Sequence, residues 1–158
     1  MKGSEAVIEA LQNALTAELT AINQYFVHAE MFEDWGYTRI GNKIKMDSID
    51  EMKHAEVLIE RMLYFEAKPN VTKPLSVKIG DKPEEMLKND LALEYEAVAH
   101  LNKCIKLATE EGDNGSRDLF LKLLNDEEGH VDWLEAQLDQ IEQMGIQNYL
   151  LAQAKEEE

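Results

Sequence analysis

The sequence predicts an all-α fold: a four-helix bundle with a long crossover between its second and third helices and a short fifth helix. Three observations carry that expectation. Apolar residues recur at helical spacing over stretches near 30 residues, Gly (8) and Pro (3) are scarce among 158 residues, and one irregular segment separates two pairs of periodic stretches. Leu, Ala, Glu and Lys are plentiful, which favours helix over sheet.

The first helix is expected from about Ser4 to Trp35, with Ile8, Leu11, Leu15, Ile22, Tyr25, Ala29 and Phe32 on its apolar face and Gly36 as the break. The second carries Ile40, Ile44, Ala55, Leu58, Met62 and Phe65. From Glu66 to Lys82 the pattern changes: Pro69, Pro74 and Gly80 interrupt it, and Val71, Leu75, Val77 and Ile79 suit extended chain. Antiparallel neighbours need only a few linking residues, so a link of this length implies travel along the bundle. A third helix is predicted to start near Pro83, capped by Asp81, with Glu84 and Glu85 in its first turn, and to carry Leu87, Leu91, Val98, Leu101 and Ile105. After a turn at Gly112 to Gly115, a fourth helix is expected from near Ser116, through Phe120, Leu123, Val131, Leu134, Leu138 and Ile141, to Gly145 as its stop. Ile146 to Ala154 is expected to form the minor fifth helix before an acidic tail.

Composition narrows the function. The formal net charge is -16, from 32 acidic and 16 basic residues, so the surface repels nucleic acid and anionic membranes and attracts cations. Cys104 is the only cysteine, which excludes an internal disulfide, a zinc ribbon and a cysteine-ligated iron–sulfur cluster. The N-terminus carries Glu5 and Glu9 where a signal peptide needs an apolar run, and no apolar stretch approaches membrane-spanning length. The expected compartment is the cytoplasm.

Two Glu-x-x-His pairs stand out, Glu51 with His54 and Glu127 with His130. Residues three apart share a helix face, so each pair presents a carboxylate and an imidazole to one point, here on the apolar side where their burial is costly without compensation. Glu18 and Glu94 also interrupt apolar faces, each 33 residues before the Glu of a pair, and a constant offset of 76 relates the two sets. The chain therefore holds a degenerate repeat of two helix pairs. Four carboxylates can balance two divalent ions, and oxygen-rich donors with one imidazole per ion suit iron or manganese. Two of the glutamates could bridge and two could be terminal. This ligand pattern is the one described for di-iron carboxylate bundles.

These residues, with their neighbours, carry a resemblance. MKGSEAVIEAL, TAELTAINQYF, SIDEMKHAE, DEEGH followed by VDWLE, and MGIQNYL all resemble the bacterioferritins, and the likeness covers essentially the whole chain. It implies a single ferritin-like di-iron domain over residues 1–158. It also implies Glu18, Glu51, His54, Glu94, Glu127 and His130 as ferroxidase ligands, with Glu51 and Glu127 bridging, Glu18 and His54 completing one site, and Glu94 and His130 the other. It further implies oxidation of ferrous iron by oxygen or peroxide and storage of the ferric product in a hollow shell of about twenty-four subunits. That shell is homo-oligomeric or mixed with related subunits, and an electron donor serves iron release.

Met52 lies about 100° around its helix from Glu51 and shares a flank with Ile49, Ile59 and Leu63. Leu19 and Phe26 are offset in the same way from Glu18 and Tyr25, so two apolar stripes suggest a core and a separate subunit interface. From the residues alone Met52 is interface packing. The resemblance implies instead that it ligates haem b together with a symmetry-related methionine across a two-fold axis. Tyr25, one heptad from Glu18, is expected near the metals, either packing with a hydrogen bond or donating an electron as the family suggests. His28 and His100 are expected at the surface or an interface, and Cys104 as a packed helix residue. There is one departure from the family. Some bacterioferritins hold an extra iron on the inner surface with a histidine and an aspartate, and here those positions are Met46 and Asp50.

Other readings are a di-iron peroxide-detoxifying protein of the rubrerythrin kind and a structural shell subunit. A lone cysteine argues against the four-cysteine module of the first, and an intact six-ligand set against the second.

Overall fold

A computed structural model describes residues 1–154, and the acidic tail at 155–158 lies outside the described residues. Five helices follow in order: α1 (Glu5–Asp34), α2 (Thr38–Tyr64), α3 (Pro83–Glu110), α4 (Asn114–Met144) and α5 (Ile146–Gln153). The expected all-α bundle with a long crossover and a short fifth helix is the fold observed. Among the described residues no helix is long and apolar enough to cross a membrane.

Local chemistry sets the helix ends. Ser4 caps α1 by accepting from Val7 N. The helix closes with Gly36 at φ 86°, where the Tyr37 N–H reaches back to Phe32 O at 2.9 Å and Gly36 N–H to Glu33 O at 2.9 Å. The end of α2 has the same closure, with Glu66 at φ 59° where glycine is usual. One predicted cap and one predicted helix start need correction. Helix α3 starts at Pro83 with Lys82 as cap and no side-chain capping bond; Asp81 instead has its own N–H held by Glu85 Oε2 at 3.2 Å. Helix α4 begins at Asn114, two residues earlier than expected, because Asp113 caps it by accepting from Ser116 N.

Helices α1 and α2 form one antiparallel pair, tied by Ser48 donating to Ile22 O, and α3 and α4 form the other, where Tyr95 donates to Glu135. The buried apolar residues fall into two clusters. One holds Leu11, Leu15, Leu58, Met62, Phe65 and Phe120. The other holds Tyr25, Phe32, Ile44, Leu87, Leu134 and Tyr149. The layer between them is polar: Glu18, Glu51, His54, Glu94, Glu127 and His130 are all buried. Helix α5 closes the second cluster, with Tyr149 wholly buried and its hydroxyl donating to Gln137 Oε1 at 2.6 Å.

The crossover runs up α1 as extended chain, and α1 supplies the polar groups that its backbone needs. Gln12 exchanges two hydrogen bonds with the Asn70 backbone, each 2.8 Å. Gln24 accepts from Lys78 N at 2.9 Å and donates to Asp90 at 2.8 Å. His28 accepts from Gly80 N at 3.1 Å through Nε2, which leaves Nδ1–H to donate to Asp90 at 2.8 Å. His28 is therefore fully buried, contrary to the surface or interface position expected from the sequence. Gly80 is required by proximity, because a Cβ there would sit 2.7 Å from Met86 N.

The pairing of Gln12 with Asn70 sets an expected outcome. Gln12→Ala removes both bonds to the Asn70 backbone, at a net cost of about 0.5–1.5 kcal/mol for each. Denaturant unfolding of the metal-free protein should show that loss, and limited proteolysis should cut faster within residues 65–82.

Candidate metal centre

Each helix of the bundle delivers its share of the polar layer: Glu18 from α1, Glu51 and His54 from α2, Glu94 from α3, and Glu127 and His130 from α4. The structure brings all six together. His54 Nδ1 lies 2.9 Å from Glu127 Oε1, 3.6 Å from Glu18 Oε1 and 3.8 Å from Glu51 Oε2. His130 Nδ1 lies 2.9 Å from Glu51 Oε1, 3.3 Å from Glu94 Oε1 and 3.4 Å from Glu127 Oε2. The two halves thus exchange partners, each imidazole facing the paired glutamate of the other half.

Two donor sets result, each compact enough for one ion: Glu18, Glu51, His54 and Glu127, and Glu51, Glu94, Glu127 and His130. Glu51 and Glu127 belong to both. One oxygen on each of the four glutamates is buried without a hydrogen bond. Orphaned carboxylate oxygens converging on one space are what a cation would satisfy, and the donor set fits two of them.

Protons show how the centre stands without cations. Burial, then the charge of Glu51, drives the Glu18 carboxyl well above its ordinary range. Burial also lifts Glu94, and its hydrogen bond to Glu127 adds to the effect, placing it at about 8. Glu51 moves the other way: burial opposes its charge, but the facing Glu18 carboxyl and the His130 and His54 imidazoles prevail and lower it to about 2. Burial opposes charge on both imidazoles too, yet the surrounding glutamates hold His54 and His130 protonated far above the usual histidine range. The raised carboxyls of Glu18 and Glu94 and the raised imidazoles of His54 and His130 all favour holding protons where cations would bind.

Tyr25 is buried, and its hydroxyl donates to Glu94 Oε1, so it does reach the centre as its heptad spacing from Glu18 predicted. Burial, then the charge of Glu94, keeps its phenol protonated well above the ordinary range. On the far side of His130, Asp47 Oδ1 and Asp50 Oδ2 stand 3.8 and 3.9 Å from Nε2. Met46 is exposed on α2, one turn before Asp50. Met52 is 56% exposed on α2, one turn from the exposed Ile49. Cys104 is packed as expected, its thiol pushed up to about 11 by burial, with His100 half-buried 3.4 Å away.

Sequence reasoning missed Asp126, which holds His54 Nε2 at 2.9 Å, and the Gln24–Asp90–His28 group. The offset of 76 that relates the ligands also relates Asp126 to Asp50, and that signal was available. A cavity of about 420 Å³ between α1, α3 and the crossover reaches Glu18, Glu51, Glu94 and Glu127, with Thr16, Thr20 and His100 on its wall.

The helix order and this centre define a ferritin-type bundle, and comparison with known proteins agrees. A model described as a Ferritin-like domain matches residues 8–144. The chain is 44% identical to the Bacterial ferritin of Synechocystis over 97% of its length and 99% of that protein's. It is 44% identical to the Bacterioferritin of Brucella melitensis over 94% and 92%, and 43% identical to that of Rhodobacter capsulatus over 98% and 96%. The chain belongs to the bacterioferritins, within the ferritin-like family.

Because divalent cations must displace protons here, binding should acidify the solution. Net proton release is expected near pH 7, with affinity rising as pH is raised toward the value of about 8 at Glu94. Titration calorimetry with cobalt(II) in buffers of different ionisation enthalpy reads the release directly.

Proposed function

We propose that this chain is an iron-storage ferroxidase. It takes ferrous iron into the buried centre, oxidises it there with oxygen or peroxide, and passes the ferric product into the cavity of a shell of about twenty-four subunits in the cytoplasm. The observation that carries this reading is that Glu51 and Glu127 are common to two compact donor sets. Membership of the bacterioferritins supports storage, and the paired donors support oxidation, because two ferrous ions held together supply two electrons to one oxidant molecule.

In this reading one ferrous ion takes Glu18 and His54, the other Glu94 and His130, and Glu51 and Glu127 bridge them. The substrate enters through the cavity between α1 and α3, whose end the four glutamates form. The ordinary cost of burying carboxylates is offset once ferrous ions replace the protons. Tyr25, bonded to Glu94, is placed to donate an electron during oxidation. Asp50 faces the outer edge of His130, on the route out, and Met46 offers no hard donor beside it.

Met52 and its symmetry mate would hold haem b at the subunit two-fold. An exposed thioether set among apolar neighbours fits that group. When bound, the haem supplies a path for electrons from a donor during iron release. The chain's own part is to present the sulfur on a surface that a second copy covers.

Two outcomes test the proposal. Glu51→Ala and Glu127→Ala should each slow the first phase of ferrous oxidation, followed by stopped flow, by more than about tenfold, the least that loss of even an outer-sphere partner costs. Native mass should not change, and rates equal to the parent protein in both variants would overturn the assignment. Met52→Leu nearly conserves volume, so it should give an assembled shell lacking the haem absorption band. A normal band would show that Met52 is not the ligand.

A further inference from the structure

A histidine that holds a cation through Nδ1 must carry its proton on Nε2, and a buried Nε2–H needs an acceptor. His54 turns Nδ1 toward Glu127, Glu18 and Glu51, and its Nε2 meets Asp126 Oδ2 at 2.9 Å. Asp126 belongs to α4 and His54 to α2, so the bond crosses the two helix pairs. Asp126 itself is 63% exposed, which frees it from the charge repulsion among the buried glutamates.

The internal repeat gives this contact a second basis. The offset of 76 extends each Glu-x-x-His to Asp-Glu-x-x-His, Asp50 to His54 and Asp126 to His130. Each half thereby sends its glutamate to Nδ1 of the other half's histidine and its aspartate toward Nε2. The halves differ in how closely they do so. Asp50 Oδ2 stops 3.9 Å from His130 Nε2, beyond hydrogen-bond length, and Asp47 at 3.8 Å is held by Lys43 at 2.7 Å. A firm bond is made only to His54.

We propose that Asp126 is a positioning residue for the Glu18–His54 half of the centre. It accepts the Nε2 proton and fixes the ring orientation that aims Nδ1 at the ion. The inference rests on the two-ion reading above.

Cobalt(II) binding to the assembled protein tests it. In Asp126→Leu, the Glu18–His54 half should lose about ten- to a hundredfold in affinity, the usual effect of losing an outer-sphere partner of a ligating histidine. Backgrounds that disable one half assign the effect. In Glu94→Ala, where the Glu18–His54 half remains, adding Asp126→Leu should weaken the remaining ion. In Glu18→Ala, the same addition should leave the remaining ion within about twofold. Asp126→Asn keeps an acceptor oxygen and should restore most of the affinity, which lost packing alone would not explain. Equal affinities with and without Asp126→Leu in the Glu94→Ala background overturn the proposal. If the parent protein itself binds fewer than two cobalt ions per subunit, the two-ion reading fails, and this inference with it.

Discussion

Four carboxylates and two imidazoles occupy the middle of an apolar bundle, and the rest of the molecule is organised around that burden. Uncompensated, such burial would cost more than the fold's net stability. The protein meets it by symmetry: each imidazole faces the glutamate of the opposite half at 2.9 Å, and protons shared among the glutamates complete the balance. An apolar cluster on either side keeps the polar layer fixed. In the proposed reading the cost is tolerated because the arrangement is prepared for cations, and what stabilises the layer without them is also what an arriving ion must displace.

Fixing the layer demands that α1 and α3 stay in register, and the crossover serves that end. Its backbone has no strand partner, so Gln12, Gln24 and His28 on α1 supply the missing bonds. Two of those three also reach Asp90 on α3, one turn before Glu94. A connection made for topology thus sets the height of a ligand-bearing helix against Tyr25, the residue that touches Glu94.

The fold was legible because helical spacing is a local property. Glu51 with His54 and Glu127 with His130 share faces whatever their surroundings, and the offset of 76 showed that two such units meet. Features that depend on contacts between distant segments were less visible. His28 reads as a surface or interface histidine because its partners, Asp90 and Gly80, lie far along the chain. Asp126 could be reached only by extending the repeat one residue, and its bond to His54 depends on how α2 and α4 approach. Asp81 has the composition of a helix cap, yet its backbone rather than its side chain is engaged. The haem-ligand role proposed for Met52 depends on a neighbouring subunit, which the spacing within one chain does not contain.

The exchange of partners between halves has a consequence for assembly. Helices α1 and α2 alone carry Glu18, Glu51 and His54, but the carboxylate nearest His54 Nδ1 comes from α4. Helices α3 and α4 likewise lack the one nearest His130 Nδ1, which comes from α2. Neither hairpin owns a finished coordination sphere. An ion in this centre would act as a rivet between hairpins, gripping their docking rather than the helicity of either one, and a chain still in separate hairpins would have nowhere complete to hold iron.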